Sequence, residues 1–113
     1  MSKILIIEDE AAIRRVLTKI ISEESDTNQV EEAEDGLHGI EKIKDNDYDL
    51  GLCDIKMPKM DGMEVLEKAM ALEKTTQFVM ISAHGSIETA VDATKKGAFD
   101  FISKPPDLNR LLV

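Results

Sequence analysis

Residues 50–62 read Leu50-Gly51-Leu52-Cys53-Asp54-Ile55-Lys56-Met57-Pro58-Lys59-Met60-Asp61-Gly62. An apolar segment runs directly into one carboxylate, Asp54, and a loop that contains Pro58 and ends at Gly62 follows it. This order is typical of a buried strand that delivers an acid to the carboxyl end of a parallel sheet, where such sheets bind ligands. An Asp that only caps the next loop or helix has the same local pattern, so the rest of the chain has to decide.

The composition is that of one globular domain. With 113 residues, 42% apolar and 33% charged, the chain is expected to form a single domain over residues 1–113. No apolar run approaches the roughly 20 residues that span a bilayer and no signal-peptide pattern is present, so we expect a cytoplasmic protein without membrane contact. The net charge of −9 argues against direct binding of nucleic acid. The one cysteine, Cys53, excludes an internal disulfide and is expected to fill space on a buried strand.

Five segments of strand length alternate with helical patterns. The strands are predicted at residues 3–7, 29–33, 48–53, 78–81 and 99–102. Most of them are largely apolar, as in strands that are buried on both faces, whereas 29–33 is polar and is predicted at a sheet edge. This alternation predicts an α/β fold in which helices cover both faces of a parallel sheet.

Apolar positions at helical spacing predict the buried face of each helix. The first helix, 11–24, carries a stripe so broad that its edges, Val16 and Ile21, are expected to be partly exposed. The buried positions predicted for the second helix are Leu37, Ile40 and Ile43. Those predicted for the fourth are Ile87, Ala90, Val91 and Thr94. A last helix from about Pro106 has at most two turns before Val113, so the sequence looks cut within it.

Functional side chains follow four of the five predicted strands. Glu8 and Asp9 come after the first, Asp54 after the third, Ser82 after the fourth and Lys104 after the fifth. The carboxyl ends of parallel strands meet at one edge, so we expect these groups to converge. Carboxylates without His or Cys form an oxygen-only site that suits Mg²⁺, and a hydroxyl and an ammonium beside it suit a tetrahedral anion. A carboxylate at such a site can act as a nucleophile toward phosphorus.

Over its whole length the chain resembles the receiver domain of two-component response regulators. The resemblance rests on the acidic pair Glu8-Asp9, the block 54–62, the strand end 81–83, and the segment Gly97-Ala98-Phe99-Asp100-Phe101-Ile102-Ser103-Lys104-Pro105. It implies a three-layer, CheY-like (flavodoxin-like) fold with the strand order of that family, 2-1-3-4-5. It also implies a phosphoacceptor domain in signal transduction, and not an enzyme that turns over a substrate.

The resemblance implies a role for each strand-end group. Asp54 would accept the phosphoryl group from a phosphohistidine of a sensor histidine kinase. Mg²⁺ would be held by Asp9, by Asp54 and by the backbone carbonyl of Lys56, and through water by Glu8, where many members have Asp. Lys104 would pair with a phosphoryl oxygen.

A phosphoryl group adds a dianion to the site, and neighbouring side chains are expected to move in response to this charge and so transmit the signal. By resemblance, Ser82 would swing toward the phosphoryl group and Phe101 would turn into the vacated space, although an ordinary core phenylalanine also fits that position. The fourth helix, the fifth strand and the last helix would form the readout face, and phosphorylation could produce a dimer. Lys56 and His84 are candidates for tuning the phosphoryl lifetime, with an exposed loop residue as an equal alternative for His84.

Within the family, residues 82–91 and 93–98 are similar to receivers of NtrC-type transcriptional activators. Those proteins carry an ATPase domain and a DNA-binding domain after the receiver. The similarity implies a C-terminal effector region as partner and transcription as the output, and a stand-alone receiver remains open.

A small Mg²⁺-dependent phosphohydrolase with an aspartyl nucleophile is the alternative function. Enzymes of the haloacid-dehalogenase type carry a second Asp two residues after the nucleophile, and this chain has Lys56 there. Sustained phosphate turnover would favour the enzyme, whereas a single stoichiometric phosphorylation would favour the receiver.

Overall fold

The computed structural model describes residues 2–24, 27–82 and 87–103. In chain order the elements are β1 (Lys3–Ile7), α1 (Ala11–Glu24), β2 (Gln29–Ala33), α2 (Gly36–Asp45), β3 (Leu50–Asp54), α3 (Gly62–Ala71), β4 (Gln77–Ser82), α4 (Ile87–Lys95) and β5 (Asp100–Ser103). The predicted alternation of strands and helices is confirmed. The predicted last helix, His84 and Lys104 lie outside the described residues. Of the described helices, none combines the length and the apolar character needed to cross a membrane.

The five strands form one parallel sheet in the order β2-β1-β3-β4-β5, which confirms the order that the resemblance implied. The polar strand β2 lies at an edge, as predicted. Ile7 of β1 pairs with Cys53 of β3, and Asp54 pairs with Ile81 of β4. The residues that follow these strands are therefore brought to the same edge of the sheet.

Two apolar cores bury the sheet, one on each face. Ile4 and Ile6 of β1 pack with Leu17 of α1 on one face. Leu5 and Ile7, which alternate with them, belong to the core on the other face, where α2 and α3 contribute most of the helical residues. Strands that are covered in this way have few positions for polar side chains, so acids at their ends stand out.

The predicted face of α1 is confirmed. Leu17 is buried at the middle of the stripe. Val16 is 48% exposed and Ile21 is half-buried, as expected for the edges of a stripe broader than the contact with the sheet.

The predicted face of α2 is wrong at one position, because Leu37 is 56% exposed. Ile40 and Ile43 are buried as predicted, and Gly36 and Gly39 complete the buried face. A Cβ on Gly39 would lie 2.6 Å from Cδ1 of Ile7, so α2 sits too close to the sheet for a larger side chain there. Glycines that permit this close approach turn the buried face away from Leu37.

The predicted face of α4 is also wrong. Ile87 is 84% and Val91 46% exposed, Thr94 is exposed, and Ala90 is half-buried. Among the described residues of α4, the buried one is Ala93, which joins the core on the α2 and α3 side. A small side chain lets the helix approach the sheet closely, and the larger apolar side chains are then rotated to the outside. An apolar pattern alone ranks Ile and Val above Ala, so it selects the opposite face.

Tyr48, just before β3, ties the edge strand β2 to the rest of the fold. Its hydroxyl donates a hydrogen bond to Oε1 of Glu31 at 2.9 Å, and Nζ of Lys42 lies 3.2 Å from the same oxygen. Nζ of Lys3 lies 5.0 Å from the centre of the tyrosine ring. The hydrogen bond from Tyr48, followed by the contact with Lys42, lowers the pKa of Glu31.

Tyr48→Phe is expected to lower the free energy of unfolding by about 1 kcal/mol at pH 7, because the Glu31 carboxylate loses its principal hydrogen bond. The folded-state pKa of Glu31 is lowered, so this stability is present above the unfolded-state pKa and is lost as the pH falls through the folded-state value. Urea unfolding at a series of pH values should therefore show the difference from wild type shrinking in acid. In a Glu31→Gln background the substitution should matter less, and a difference of constant size at all pH values would contradict the assignment.

Candidate functional site

Three carboxylates meet at the carboxyl end of the sheet. Glu8 and Asp9 follow β1, Asp54 is the last residue of β3, and one oxygen from each lies within 4.8 Å of the others. Glu8 is 1% and Asp54 4% exposed, while Asp9 is half-buried. The predicted convergence of these strand-end acids is therefore observed. Oxygen donors from Asp and Glu are the ligands that suit Mg²⁺, so the donor set fits that ion.

The site has a strongly negative potential. At 4 Å and an effective dielectric constant of 20, each pair of ionised carboxylates repels by about 4 kcal/mol. Burial, and then the charges of Asp54, Glu8 and Asp61, raise the pKa of the neighbouring Cys53 thiol. Cys53 therefore stays protonated, is buried as expected, and its Sγ donates to the backbone oxygen of Asp54 at 3.4 Å. Such a potential favours the binding of a cation.

Arg14 of α1 contacts this acidic turn, and this contact was not expected from the sequence. Its Nη1 donates a 2.6 Å hydrogen bond to the backbone oxygen of Glu8, and its Nε donates a 2.9 Å hydrogen bond to Oε1 of Glu32 on β2. The available signal was a basic residue at the fourth position of a helix that starts just after an acidic segment. That signal is weak, because the contact depends on how α1 is rotated against the sheet.

The loop between β3 and α3 folds back onto Asp54. The N–H of Ile55 donates to the backbone oxygen of Ile81 at 2.9 Å, and the N–H of Gly62 donates to that of Ile55 at 2.7 Å. A Cβ at residue 62 would overlap the backbone oxygen of Asp54 and lie 2.7 Å from Cα of Ile55. Only glycine therefore allows this return. Lys56 lies in the loop with an exposed side chain.

Ser82 ends β4 beside the acid cluster. It is 6% exposed and comes directly after Ile81, which pairs with Asp54. Across the sheet Ser82 pairs with Ser103, the last residue of β5. Lys104 follows Ser103 in the chain and lies outside the described residues. The register thus brings Ser82 to the same edge as the carboxylates.

Phe101 lies on β5, opposite Met80 of β4. It is half-buried and packs against the core on the α2 and α3 side. Phe99, two residues earlier in the chain, is 68% exposed. Ile87 and Val91 on the preceding helix, α4, are exposed as well. Phe101 therefore lies on the boundary between the core and the surface.

The sequence is similar to those of known receiver proteins. The family model described as response regulator receiver domain matches residues 4–113. Chemotaxis protein CheY of Listeria monocytogenes is 43% identical over 112 residues, which cover 99% of this chain and 93% of that protein. Regulatory protein AtoC of Escherichia coli is 34% identical over 111 residues, which cover 98% of this chain and 24% of that protein. This chain thus spans about a quarter of AtoC.

The fold is similar to solved structures as well. The crystal structure of a CheY-like response regulator receiver domain protein from Methanospirillum hungatei matches with a TM-score of 0.90 and 34% sequence identity. The match covers 99% of this chain and 88% of that one. The likeness therefore extends over the whole sheet and the helices that position the acids.

Proposed function

This chain belongs to the response regulator receiver domain family, and we propose that Asp54 is its phosphoacceptor. Members of the family act in two-component signalling. The observation that carries the proposal is the meeting of three carboxylates around a nearly buried Asp54 at the carboxyl end of a parallel sheet. An Asp that only capped a loop would also end at this edge, but it would not need to be nearly buried with a carboxylate oxygen within 4.8 Å of those of Glu8 and Asp9. Residues 1–113 would act as one receiver domain.

The phosphoryl donor in this proposal is a phosphohistidine of a sensor histidine kinase. An oxygen of the Asp54 carboxylate attacks phosphorus, the phosphorus–nitrogen bond breaks with its electron pair going to the imidazole, and an aspartyl phosphate forms. Burial of Asp54 limits the water that competes with the donor and later hydrolyses the product. The Asp54 backbone oxygen accepts from Cys53 Sγ–H, which helps to fix the end of β3. We place the exchange in the cytoplasm, where ATP-dependent kinases are phosphorylated.

Asp9, Asp54 and the backbone carbonyl of Lys56 are the proposed Mg²⁺ ligands, with Glu8 acting through water. The fit rests on an oxygen-only donor set whose carboxylates lie within 4.8 Å of one another. When bound, the ion would supply the positive charge that lets phosphoryl oxygens approach three acids. Oε2 of Glu8 accepts a 3.3 Å hydrogen bond from the N–H of Glu10, which holds this longer side chain close to the turn.

Ser82, Lys104 and Phe101 form the proposed switch. A phosphoryl group on Asp54 would attract the Ser82 hydroxyl and the Lys104 ammonium, and Phe101 would move further into the core. Support comes from the register, which puts Ser82 at the acid edge, and from the half-buried position of Phe101. The exposed apolar side chains of α4 would belong to the readout face, on which a phosphorylation-dependent dimer could form.

The proposed output is control of transcription through a C-terminal effector region. The match to AtoC, of which this chain covers 24%, supports a receiver that belongs to a longer regulator. The match to chemotaxis protein CheY over 93% of its length supports the other candidate, a receiver that acts alone by binding a partner. Pull-down of a partner by the phosphorylated chain alone would favour the second candidate.

The experiment that tests the phosphoacceptor proposal uses acetyl phosphate or phosphoramidate as the donor. In the presence of Mg²⁺, intact-mass spectrometry should show the gain of one phosphoryl group per chain, and EDTA should prevent it. Glu41→Gln, which removes an exposed carboxylate of α2, is a control that should behave as wild type. Sustained release of phosphate in large excess over protein would instead favour the phosphohydrolase.

Mg²⁺ is expected to raise the melting temperature of the wild-type chain but not that of Asp9→Asn. At ten times its dissociation constant, the ion should stabilise the wild type by about 1.4 kcal/mol, or about 5 °C. Without Mg²⁺, Asp9→Asn should melt above wild type, because one of three mutually repelling charges is gone. Asp45→Asn, at the exposed end of α2, should keep the Mg²⁺ response. A full response in Asp9→Asn would remove Asp9 from the ligand set.

A further inference from the structure

Arg14 joins three parts of the fold that meet at the acidic turn: helix α1, the end of β1 and the edge strand β2. We propose that Arg14 is a positioning residue for the cation site, which holds the Glu8–Asp9 peptide in the orientation that Mg²⁺ needs and is itself anchored by Glu32. This inference rests on the proposed function, because it takes the acid cluster to be a Mg²⁺ site. It adds a residue that supplies no ligand atom.

Arg14 holds the peptide between Glu8 and Asp9 through the carbonyl oxygen of that peptide. Nη1 of Arg14 donates to the backbone oxygen of Glu8 at 2.6 Å, and this carbonyl belongs to the peptide that links the two acids. On the other side of the same residue, the N–H of Glu8 donates to the backbone oxygen of Ala33 on β2 at 3.1 Å. With both ends of Glu8 fixed, the directions of the Glu8 and Asp9 side chains are restricted before any ion arrives.

Glu32 restrains Arg14 in turn. Its Oε1 accepts from Nε of Arg14 at 2.9 Å, and the arginine side chain is only 17% exposed. A guanidinium is planar and presents its donors in a rigid fork, so one group can bind a carbonyl and a carboxylate at once. A lysine ammonium is a compact charge on a flexible stem and does not reproduce this two-point geometry. The contact is therefore specific for arginine.

Charge and positioning make opposite predictions for Mg²⁺ affinity. Loss of a positive charge near the site should tighten binding of a cation, whereas loss of the fixed peptide should weaken it. The charge of Arg14 is largely offset by Glu32 at 2.9 Å, so its net field at the site is small. We therefore expect loss of Arg14 to weaken Mg²⁺ binding. Tighter binding would instead indicate that the charge of Arg14 is the larger effect.

The test is a calorimetric titration of the full chain with MgCl₂. Arg14→Met is expected to weaken Mg²⁺ binding by about tenfold, as is typical when a residue that orients metal ligands is removed. Arg14→Lys, which keeps the charge, should be nearly as weak. Arg15→Met loses the same charge from an exposed neighbouring position on α1 and should bind Mg²⁺ as wild type does, or slightly more tightly. Far-UV circular dichroism at the titration temperature confirms that each variant is folded.

Glu32→Ala provides a second approach that leaves Arg14 in the chain. It should weaken Mg²⁺ binding severalfold, and the double variant with Arg14→Met should be no weaker than Arg14→Met alone, since the two residues act as one unit. If Arg14→Met binds Mg²⁺ as well as Arg15→Met does, positioning by Arg14 is overturned while the cation site stands. If the wild type binds no Mg²⁺, the cation site itself fails and the role of Arg14 falls with it.

Discussion

Asp54→Asn is expected to lower phosphorylation by acetyl phosphate or phosphoramidate by more than about 1,000-fold, because an amide in place of the carboxylate removes the nucleophile. Asn has nearly the shape of Asp, so the end of β3 and its pairing with Ile81 should be preserved. The loss of one of three clustered charges should even raise the melting temperature without Mg²⁺. Intact-mass spectrometry of the folded variant measures the outcome. Loss of phosphorylation together with higher stability would separate a chemical effect from misfolding.

Asp45→Asn is the matched control for this substitution. It makes the same chemical change at an exposed position, the last residue of α2, and should be phosphorylated at the wild-type rate. If Asp54→Asn still gains a phosphoryl group, the acceptor is another side chain. Fragmentation of the modified chain would then identify it, with Glu8 and Asp9 as the first candidates from their positions beside Asp54.

Gly62→Ala is expected to lower the free energy of unfolding by about 3 kcal/mol, because the added methyl group collides with backbone that has no room to move. The new Cβ would overlap the backbone oxygen of Asp54 and lie 2.7 Å from Cα of Ile55. The N–H of Gly62 also bonds to Ile55 at 2.7 Å, so displacement of residue 62 would break this link. Urea unfolding gives the stability. Phosphorylation of the folded fraction should fall as well, since the strand end that carries Asp54 is pushed aside.

Steric overlap and helix propensity predict opposite signs for the change in the free energy of unfolding of Gly62→Ala. Gly62 is the first residue of α3, and inside a helix alanine is favoured over glycine by about 1 kcal/mol, so helix propensity alone predicts stabilisation. Gly39→Ala in α2 is the comparison, because the three atoms nearest to its Cβ would all belong to the side chain of Ile7, with Cδ1 at 2.6 Å, and not to backbone. That variant should lose less stability than Gly62→Ala. Equal stability of the two variants would mean that the loop does not return to β3 as described.

Much of the acid site was predictable from the sequence, for a simple topological reason. Strands 3–7 and 48–53 were recognised from local runs of apolar residues, and parallel strands necessarily end at one edge. Glu8, Asp9 and Asp54 were therefore expected together, and their oxygens lie within 4.8 Å of one another. The polarity of 29–33 likewise predicted its place at the sheet edge. These features depend on the order of residues along single segments.

The faces of helices were less predictable, because they depend on how closely each helix approaches the sheet. Leu37 was expected inside and is exposed, since Gly36 and Gly39 supply the contact. In α4 the small residue Ala93 is buried, and Ile87 is 84% exposed. In both helices a glycine or an alanine permits close packing against the core, and a larger apolar side chain, Leu37 or Ile87, is exposed.

The alternation of strands and helices, the polar edge strand and the presence of acids after β1 and β3 all followed from local patterns of residues. The pattern around Asp54 alone did not distinguish a cap from a site; the parallel register decided, because it brings Glu8 and Asp9 to the same edge. The contacts of Arg14 with Glu8 and Glu32 became visible in the folded chain and were not foreseen from the sequence. The physical reason is that hydrophobic periodicity is local, whereas a side chain that bridges three elements depends on the rotation and distance of a helix set by packing across the whole core.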